Sequence, residues 1–358
     1  MQELDRFLTI SDFEAAAREL LAPDILAYTV GGAGDEITLR SNQSAFDEIQ
    51  LFPRVLRDVS HVEMSVSLFG DVLPLPLLLA PTAYQRTIRP NGEIEAARGA
   101  AVYSIPYVVS TSATTSVEEI SRAAKTPFWF QLYMHKEEEF TGSLIRRAEE
   151  AGCKALCVTV DTPVLGSRTR QIRAGFVIPS EMETPHLHPL VREAADPVYP
   201  YRKVTTWKDI AWLQSFTKLP ILLKGILNAN DAELAVQNGV QGIIVSNHGA
   251  RNLDTVPATI QVLPEIVDRV AGKIPVLMDG GIRRGTDIFK CLAYGATAVL
   301  IGRPYLYGLA VAGPEGVAKV IEILRAEFFY AMALCGCTSI SEINRTLVRA
   351  TMNRYPGC

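Results

Sequence analysis

Eight short apolar runs punctuate the chain at residues 77–80, 107–110, 128–132, 155–160, 221–224, 242–246, 276–279 and 298–302. Each is close to continuously apolar rather than alternating, as expected of strands covered on both faces. Most are followed by a helical period. Phe140, Leu144, Ile145 and Ala148 make one apolar stripe, and Gly152 closes it. A last helix from Pro314 carries Val317, Val320, Ile321, Leu324 and Phe328 on one face. Ahead of the first run, Ser11 and Glu14 have capping-box spacing before the helical stretch 15–21. A glycine-rich turn around Gly31, Gly32 and Gly34 follows a short helical pattern. It does not follow a strand, which argues against a dinucleotide-binding loop. Residues 51–75 read as loop and short strand.

Strands that alternate with helices argue for a parallel sheet, and eight of them favour a closed (β/α)8 TIM barrel over an open doubly wound sheet. Barrel chemistry gathers at the carboxyl ends of the strands. Every end here is polar or glycine-containing: Ala80-Pro81-Thr82, Ser110, Gln131 with Tyr133, Thr159 with Asp161, Lys224, Ser246 with His248, Asp279, and Gly302-Arg303. The expected α/β organisation is one domain over 1–358, with an N-terminal helical extension (1–75), a barrel (76–335) and a lid loop (177–206) between strands 4 and 5. Pro179, Pro185, Pro189, Pro197 and Pro200 interrupt that loop without periodicity, and loops of such length in compact domains are usually lids or disordered. His186 and His188 lie in it with no third ligand nearby. They read as mobile lid histidines, and no metal is expected.

Composition narrows the function. At 48% hydrophobic and 21% charged the 358 residues suit a soluble globular protein, and a net charge of −4 leaves no basic field for nucleic acid. The stretch 73–83 holds three prolines and is too short to span a bilayer. The acidic start, Met1-Gln-Glu-Leu-Asp5, lacks signal-peptide character, and Tyr-Pro-Gly-Cys358 is not a peroxisomal address. The six cysteines have neither zinc nor redox spacing; Cys153 and Cys157 read as buried small hydrophobes. A reducing cytoplasm is the expected location.

The densest chemistry follows the sixth strand, in Ser246-Asn-His248-Gly-Ala-Arg251-Asn-Leu-Asp254. An imidazole suits proton exchange near neutrality, and a guanidinium three residues on suits a carboxylate clamp. Asp279-Gly280-Gly281-Ile282-Arg283 and Gly302-Arg303-Pro304 close the seventh and eighth strands, where barrels commonly bind phosphate. Lys224 ends the fifth strand; a Schiff base, a fixed cation beside a cofactor and a structural ion pair are all open to it. Asp161 is placed to orient His248, and Arg168 to supply a second anion contact.

Taken together, Ser246–Asp254, Gln131-Leu-Tyr133, Thr159-Val-Asp-Thr-Pro163, Asp279–Asp287 and Gly302-Arg-Pro304 resemble the FMN-dependent 2-hydroxy-acid oxidases, a family that includes glycolate, lactate and mandelate oxidases. The resemblance extends from about Phe13 to Val348. It implies FMN across the barrel mouth, its phosphate at Gly281, Arg283, Gly302 and Arg303, with Asp279 and Gly280 in the same loop. Pro81, Thr82, Ala83, Ser110, Gln131, Thr159 and Ser246 would line the flavin and its ribityl chain. Lys224 would lie by the N1/O2 edge, which argues against a Schiff base. The substrate carboxylate would sit between Arg168 and Arg251 with Tyr28 assisting, Tyr133 would bond the hydroxyl, and His248, oriented by Asp161, would take the proton. Whether that proton leaves carbon or the hydroxyl is open, and either route yields a 2-oxo acid.

Where glycolate oxidase carries a pocket tryptophan, this chain has Ser112, which implies room for substrates larger than glycolate. Without a haem domain or a long apolar insertion, O2 becomes the expected acceptor and hydrogen peroxide the product. A dehydrogenase of the same fold using a quinone or protein acceptor, and a lactate-monooxygenase-like enzyme, are the alternatives. No nucleic-acid or membrane partner is expected, and the resemblance implies a homotetramer.

Overall fold

The structure, a computed structural model, describes residues 4–124, 126–187 and 203–350. The N-terminal extension contains α1 (Ile10–Leu20), α2 (Pro23–Val30), α3 (Ile37–Asp47), β1 (Ile49–Leu51) and a hairpin, β2 (Val66–Leu68) with β3 (Asp71–Leu73). Thr9 caps α1: its hydroxyl accepts from the Asp12 N–H, and the Asp12 carboxylate accepts from the N–H groups of Leu8 and Thr9. The capping box therefore lies two residues before the Ser11/Glu14 pair suggested by spacing. Ile10 and Phe13 are the first buried residues of the helix, and burying them on one face requires the earlier start.

The eight expected strands are all present. In chain order they are β4 (Leu77–Leu79), β5 (Tyr107–Ser110), β6 (Phe128–Leu132), β7 (Leu156–Thr159), β8 (Ile221–Ile226), β9 (Gly242–Val245), β10 (Val276–Asp279) and β11 (Ala298–Ile301). They pair in parallel and close into a barrel in the order β10-β11-β4-β5-β6-β7-β8-β9. The connecting helices α4 (Gly92–Ala101), α5 (Val117–Ala124), α6 (Glu138–Glu150), α7 (Thr169–Arg173), α8 (Trp207–Phe216), α9 (Ala229–Gln237), α10 (Thr259–Val270) and α11 (Gly285–Ala293) intervene between strands. Helix α12 (Arg303–Leu334) breaks its helical geometry at Ala312 and Gly313, and Val317, Val320, Ile321, Leu324 and Phe328 of its second half are all buried, as their spacing predicts. A final strand, β12 (Val348–Ala350), returns to pair with β1.

Strand periodicity of two explains how the barrel makes a site. Leu78, Val108, Trp129, Cys157, Leu222, Ile244, Leu277 and Ala298 form one buried cluster inside the barrel, and Leu68 and Leu73 of the hairpin join it. Leu77, Leu79, Val109, Phe130, Leu156, Val158 and Leu223 belong instead to the cluster packed against the helices. Moving two residues along from the inward set reaches Ser110, Gln131, Thr159, Lys224, Ser246 and Asp279 on six strands, and Ala80 and Leu300 on the neighbouring β4 and β11. Six of the eight inward rows thus change from apolar to polar at the same level, toward the strands' carboxyl ends, while β4 and β11 keep an apolar stretch.

The lid region departs from expectation at His186. It is fully buried; Nε2 accepts from the Val117 N–H at 2.9 Å, and its ring meets Phe130 edge-on with centroids 5.4 Å apart. Burial pushes its pKa down to about 4, so it is a neutral structural acceptor at the start of α5 and not a mobile lid histidine. His188 and the adjoining lid residues to 202 lie outside the described residues.

Candidate active site

A cleft with about 1220 Å³ of space, counted to its open mouth, sits over the polar layer. Hydrogen bonds cross between neighbouring strands along its floor. Ser110 Oγ donates to Gln131 Oε1 at 3.2 Å, and Gln131 Nε2 donates to Thr159 Oγ1 at 3.0 Å. On the other side Lys224 Nζ lies 2.8 Å from Ser246 Oγ and 2.9 Å from Asp279 Oδ2. Burial works against the ammonium's charge, but Asp279 and Asp161 outweigh it and the net pKa shift is upward. Lys224 is therefore a fixed cation, held by an ion pair and facing the cleft.

After β9 the chain turns through His248, Gly249 and Ala250, all three left-handed, with φ of 59°, 61° and 62°. The turn aims the imidazole at the cleft. His248 Nδ1 lies 2.9 Å from Asp161 Oδ1, so in this arrangement Nδ1 carries the proton and Nε2 is the basic nitrogen. Burial lowers the imidazole pKa below its ordinary value, and the Asp161 charge opposes that in part. Partial burial of Asp161 favours its neutral form, but His248 and Lys224 outweigh the effect and hold it ionised. The aspartate is fixed in turn by Asn252 Nδ2, which donates to its carbonyl at 2.8 Å, and by Thr162 Oγ1 at 3.0 Å. Gly225 makes room for it. A Cβ there would stand 2.4 Å from Asp161 Cβ, and β8 shifts register at this residue, φ being +116°.

Four arginines ring the cleft: Arg168, Arg251, Arg283 and Arg303. Their protein hydrogen bonds, among the described residues, go to backbone carbonyls. Arg251 Nη1 donates to the carbonyls of Tyr28 and Gly31 at 2.7 and 2.9 Å, leaving the Nε/Nη2 edge as a two-pronged donor. Arg168 Nε donates to the Arg251 carbonyl. Burial foremost, and then the Arg168 charge, push Arg251 down to about 9. Burial likewise pushes Arg303 down to about 10. An anion bound between these guanidiniums would offset both the burial and the like-charge repulsion.

Of the residues singled out from sequence, Tyr28, Pro81, Thr82, Ala83, Ser110, Ser112, Gln131, Tyr133, Thr159, Arg168, Lys224, His248, Arg251, Asp279, Gly280, Gly281, Arg283, Gly302 and Arg303 line this one cleft. Asp161 and Ser246 do not; both stand behind it, Asp161 against His248 and Ser246 beneath Lys224 and the His248 N–H. Arg303 lines the wall but also donates to the carbonyls of Thr29, Gly249 and Gly31, tying the N-terminal extension to the site. Thr162 and Asn252 lie inside motifs quoted from the sequence, but their part in fixing Asp161 is not legible there, because it depends on contacts made across the fold. Sequence reading missed Tyr84, buried at φ +57° on the cleft wall, with its ring centroid 6.0 Å from that of Tyr28.

The donor set fits FMN. Arg283 Nε is buried with no hydrogen-bond partner among the described residues, as expected of a donor reserved for an anion. Gly281 has φ +82°, and a Cβ there would stand 1.8 Å from the Asn42 carbonyl oxygen, so only glycine lets that loop pack this closely against α3 with its backbone facing the cleft.

Comparison with known proteins points the same way. A family described as FMN-dependent dehydrogenase matches residues 17–350. Glycolate oxidase 1 of Zea mays is 45% identical over 346 residues, covering 94% of each chain. 2-Hydroxyacid oxidase 1 of Homo sapiens is 43% identical over 366 residues, covering 97% of each. A crystal structure of mandelate oxidase with (S)-4-hydroxymandelic acid superposes with a TM-score of 0.92 at 39% identity, covering 96% of this chain and 98% of that one.

Proposed function

The chain belongs to the FMN-dependent dehydrogenase family, and from that premise we propose that it oxidises an (S)-2-hydroxy acid to the 2-oxo acid. In this reading O2 receives the electrons and is released as hydrogen peroxide, and substrates with side chains larger than that of glycolate are accepted. The observation that carries the reading is the juxtaposition of a partly buried His248–Asp161 pair with two guanidiniums, Arg168 and Arg251, that face the same cleft. A base beside a carboxylate clamp is the machinery for removing hydrogen from the carbon next to a carboxylate.

Bound FMN supplies the two-electron acceptor. Gly280, Gly281, Arg283, Gly302 and Arg303 would hold its phosphate, and Pro81, Thr82, Ala83, Ser110, Gln131 and Thr159 its ring and ribityl chain. Lys224 supplies a fixed positive charge on that wall, paired to Asp279 and steadied by Ser246. A preorganised charge of this kind needs no rearrangement as the reaction proceeds.

Arg251 receives the substrate carboxylate on its Nε/Nη2 edge, with Arg168 and Tyr28 beside it. The guanidinium carbon of Arg251 also stands 4.8 Å from the Tyr28 ring centroid, which fixes its plane. Tyr133 bonds the substrate hydroxyl, and His248 Nε2 accepts the proton. Asp161 stabilises the imidazolium that results. Ser112 and Tyr84 border the space left for the substrate side chain. The five described cysteines are all unpaired, which supports a reducing location such as the cytoplasm, and we take the working assembly to be a homotetramer.

An oxygen electrode with peroxide detection tests the reading on glycolate, lactate, mandelate and a long-chain 2-hydroxy acid. The expected result is O2 uptake with stoichiometric peroxide and a preference for the larger acids. A clear preference for glycolate would remove the size assignment. Oxidation that proceeds only with an added quinone or protein acceptor would remove the oxidase assignment.

A further inference from the structure

The left-handed turn that carries His248 needs something to hold it. His248 and Ala250 are not glycine, and L side chains in this conformation carry a steric cost, so they persist only where the surroundings over-determine them. Ser246 Oγ accepts the His248 N–H, Arg303 binds the Gly249 carbonyl and the Ala33 N–H binds the Ala250 carbonyl, and one side chain, Asn247, 4% exposed, spans the turn from within. Its Oδ1 accepts from the Ala250 N–H at 3.1 Å, across the turn, while its Nδ2 donates to the Pro257 carbonyl at 3.3 Å. The remaining donor and acceptor are both taken by Asn42, 2% exposed, on α3. Asn42 Nδ2 donates to Asn247 Oδ1 at 2.9 Å, and Asn247 Nδ2 donates to Asn42 Oδ1 at 2.8 Å. The two amides thus form a closed reciprocal pair across 205 residues of sequence, and Asn247 is fully satisfied only with Asn42 present.

We infer that Asn42, in the N-terminal extension, is a positioning residue for the base: its amide locks Asn247, Asn247 locks the 247–250 turn, and the turn holds the His248 imidazole against Asp161. The extension is then part of the catalytic arrangement, not packing alone. Other contacts between α3 and the same loop do not reach the turn. Asp254 accepts the N–H groups of Asp35, Ile37 and Thr38 at the start of α3, and Thr38 exchanges hydrogen bonds with Val256. These dock the helix, while Asn42 alone of this set touches the residue that shapes the turn. The Gly281 loop lies against the backbone carbonyl of Asn42, which a side-chain substitution leaves in place.

The inference rests on His248 being the proton acceptor proposed above. The test uses FMN-loaded Asn42→Leu, with Asn42→Asp as a second variant of unchanged size that sets an additional acceptor against Asn247 Oδ1. Thr38→Val is the control for helix docking. His248 is faced by Asp161, Lys224 and Arg168 as well as Thr162. Releasing the ring toward water loses both the burial that lowers its pKa and the Asp161 contact that raises it, and because burial is the larger of the two the net change is upward. The acid limb of the kcat/KM–pH profile is therefore expected to move to higher pH in both Asn42 variants, with kcat/KM down by about tenfold or more at neutral pH. The FMN Kd of Asn42→Asp, read by flavin fluorescence on the apo-protein, should change by less than about threefold, because the backbone under Gly281 and the side-chain volume beside Gly280 are both retained. Thr38→Val should lower the unfolding temperature without moving the limb. A wild-type limb and rate in Asn42→Leu or Asn42→Asp overturns the inference, as does an equal limb shift in Thr38→Val. His248→Gln with undiminished kcat/KM would instead overturn the assignment of the base, whatever the Asn42 variants do.

Discussion

Replacing Asp161 with asparagine keeps the shape of the site and removes one charge, so its consequence can be worked out. The carboxylate sits 2.9 Å from His248 Nδ1, with the two side chains 13% and 19% exposed. Opposite unit charges ~4 Å apart attract by ~4 kcal/mol at an effective dielectric of ~20. Residual solvent access reduces that, and half of it, ~2 kcal/mol, is a reasonable lower figure. The attraction is felt only when the imidazole is protonated, as it becomes when it accepts the substrate's proton. Asp161→Asn should therefore slow flavin reduction by roughly 30- to 900-fold. The pH effect has a definite sign. Burial lowers the His248 pKa and Asp161 raises it, so the substitution leaves burial, Lys224 and Arg168 unopposed and the pKa falls further. The acid limb of kcat/KM moves to lower pH while the plateau drops. Anaerobic stopped-flow mixing of the FMN-loaded variant with substrate, from acid to neutral pH, measures both. A fall of less than about threefold, or a limb displaced to higher pH, would refute the electrostatic role.

Other substitutions probe the remaining parts. Arg251→Lys replaces a two-pronged donor by a point charge, and kcat/KM should fall about 10- to 100-fold, chiefly through KM; steady-state kinetics with an unchanged KM would count against the clamp. Lys224→Met leaves Asp279 buried without its cation, the pair being 6% and 9% exposed. Urea unfolding of the apo-protein should show a loss of about 3–5 kcal/mol, and a change below about 1 kcal/mol would mean the pair is not a structural necessity. Gly281→Ala sets a Cβ against the Asn42 carbonyl at a φ of +82°. FMN affinity by fluorescence titration should weaken by at least about tenfold, and wild-type affinity would show that the loop has room to shift.

Much of this was legible in the chain because parallel strands buried on both faces write themselves as apolar runs, and a barrel gives their carboxyl ends a common destination. His248, Arg251, Lys224 and the Gly280–Gly281 loop follow directly from reading those ends. Other features depend on partners far away in sequence. Asn42 and Asn252 are ordinary polar residues until the fold sets them against Asn247 and Asp161. Tyr84 adopts its left-handed φ in a turn whose N–H reaches the Ser112 carbonyl at 3.1 Å, a contact between two strand ends that no local pattern announces. His186 was misread because a proline-rich stretch predicts exposure, whereas the described part of the loop seats the ring against Phe130. Ser11 and Glu14 match the capping-box spacing, but burial of Ile10 and Phe13 sets the start of α1 at the Thr9 cap, which the spacing alone does not show.

The central claim is that this cleft oxidises the carbon beside a carboxylate with FMN as the acceptor. Anaerobic mixing of the FMN-loaded protein with paired (S)- and (R)-2-hydroxy acids, followed by flavin absorbance, tests it most directly. The account predicts bleaching with at least one (S)-acid, no bleaching with its (R)-enantiomer, and loss of the (S)-acid response in His248→Gln with FMN still bound. An oxidised flavin spectrum that persists with every (S)-2-hydroxy acid tried would contradict it.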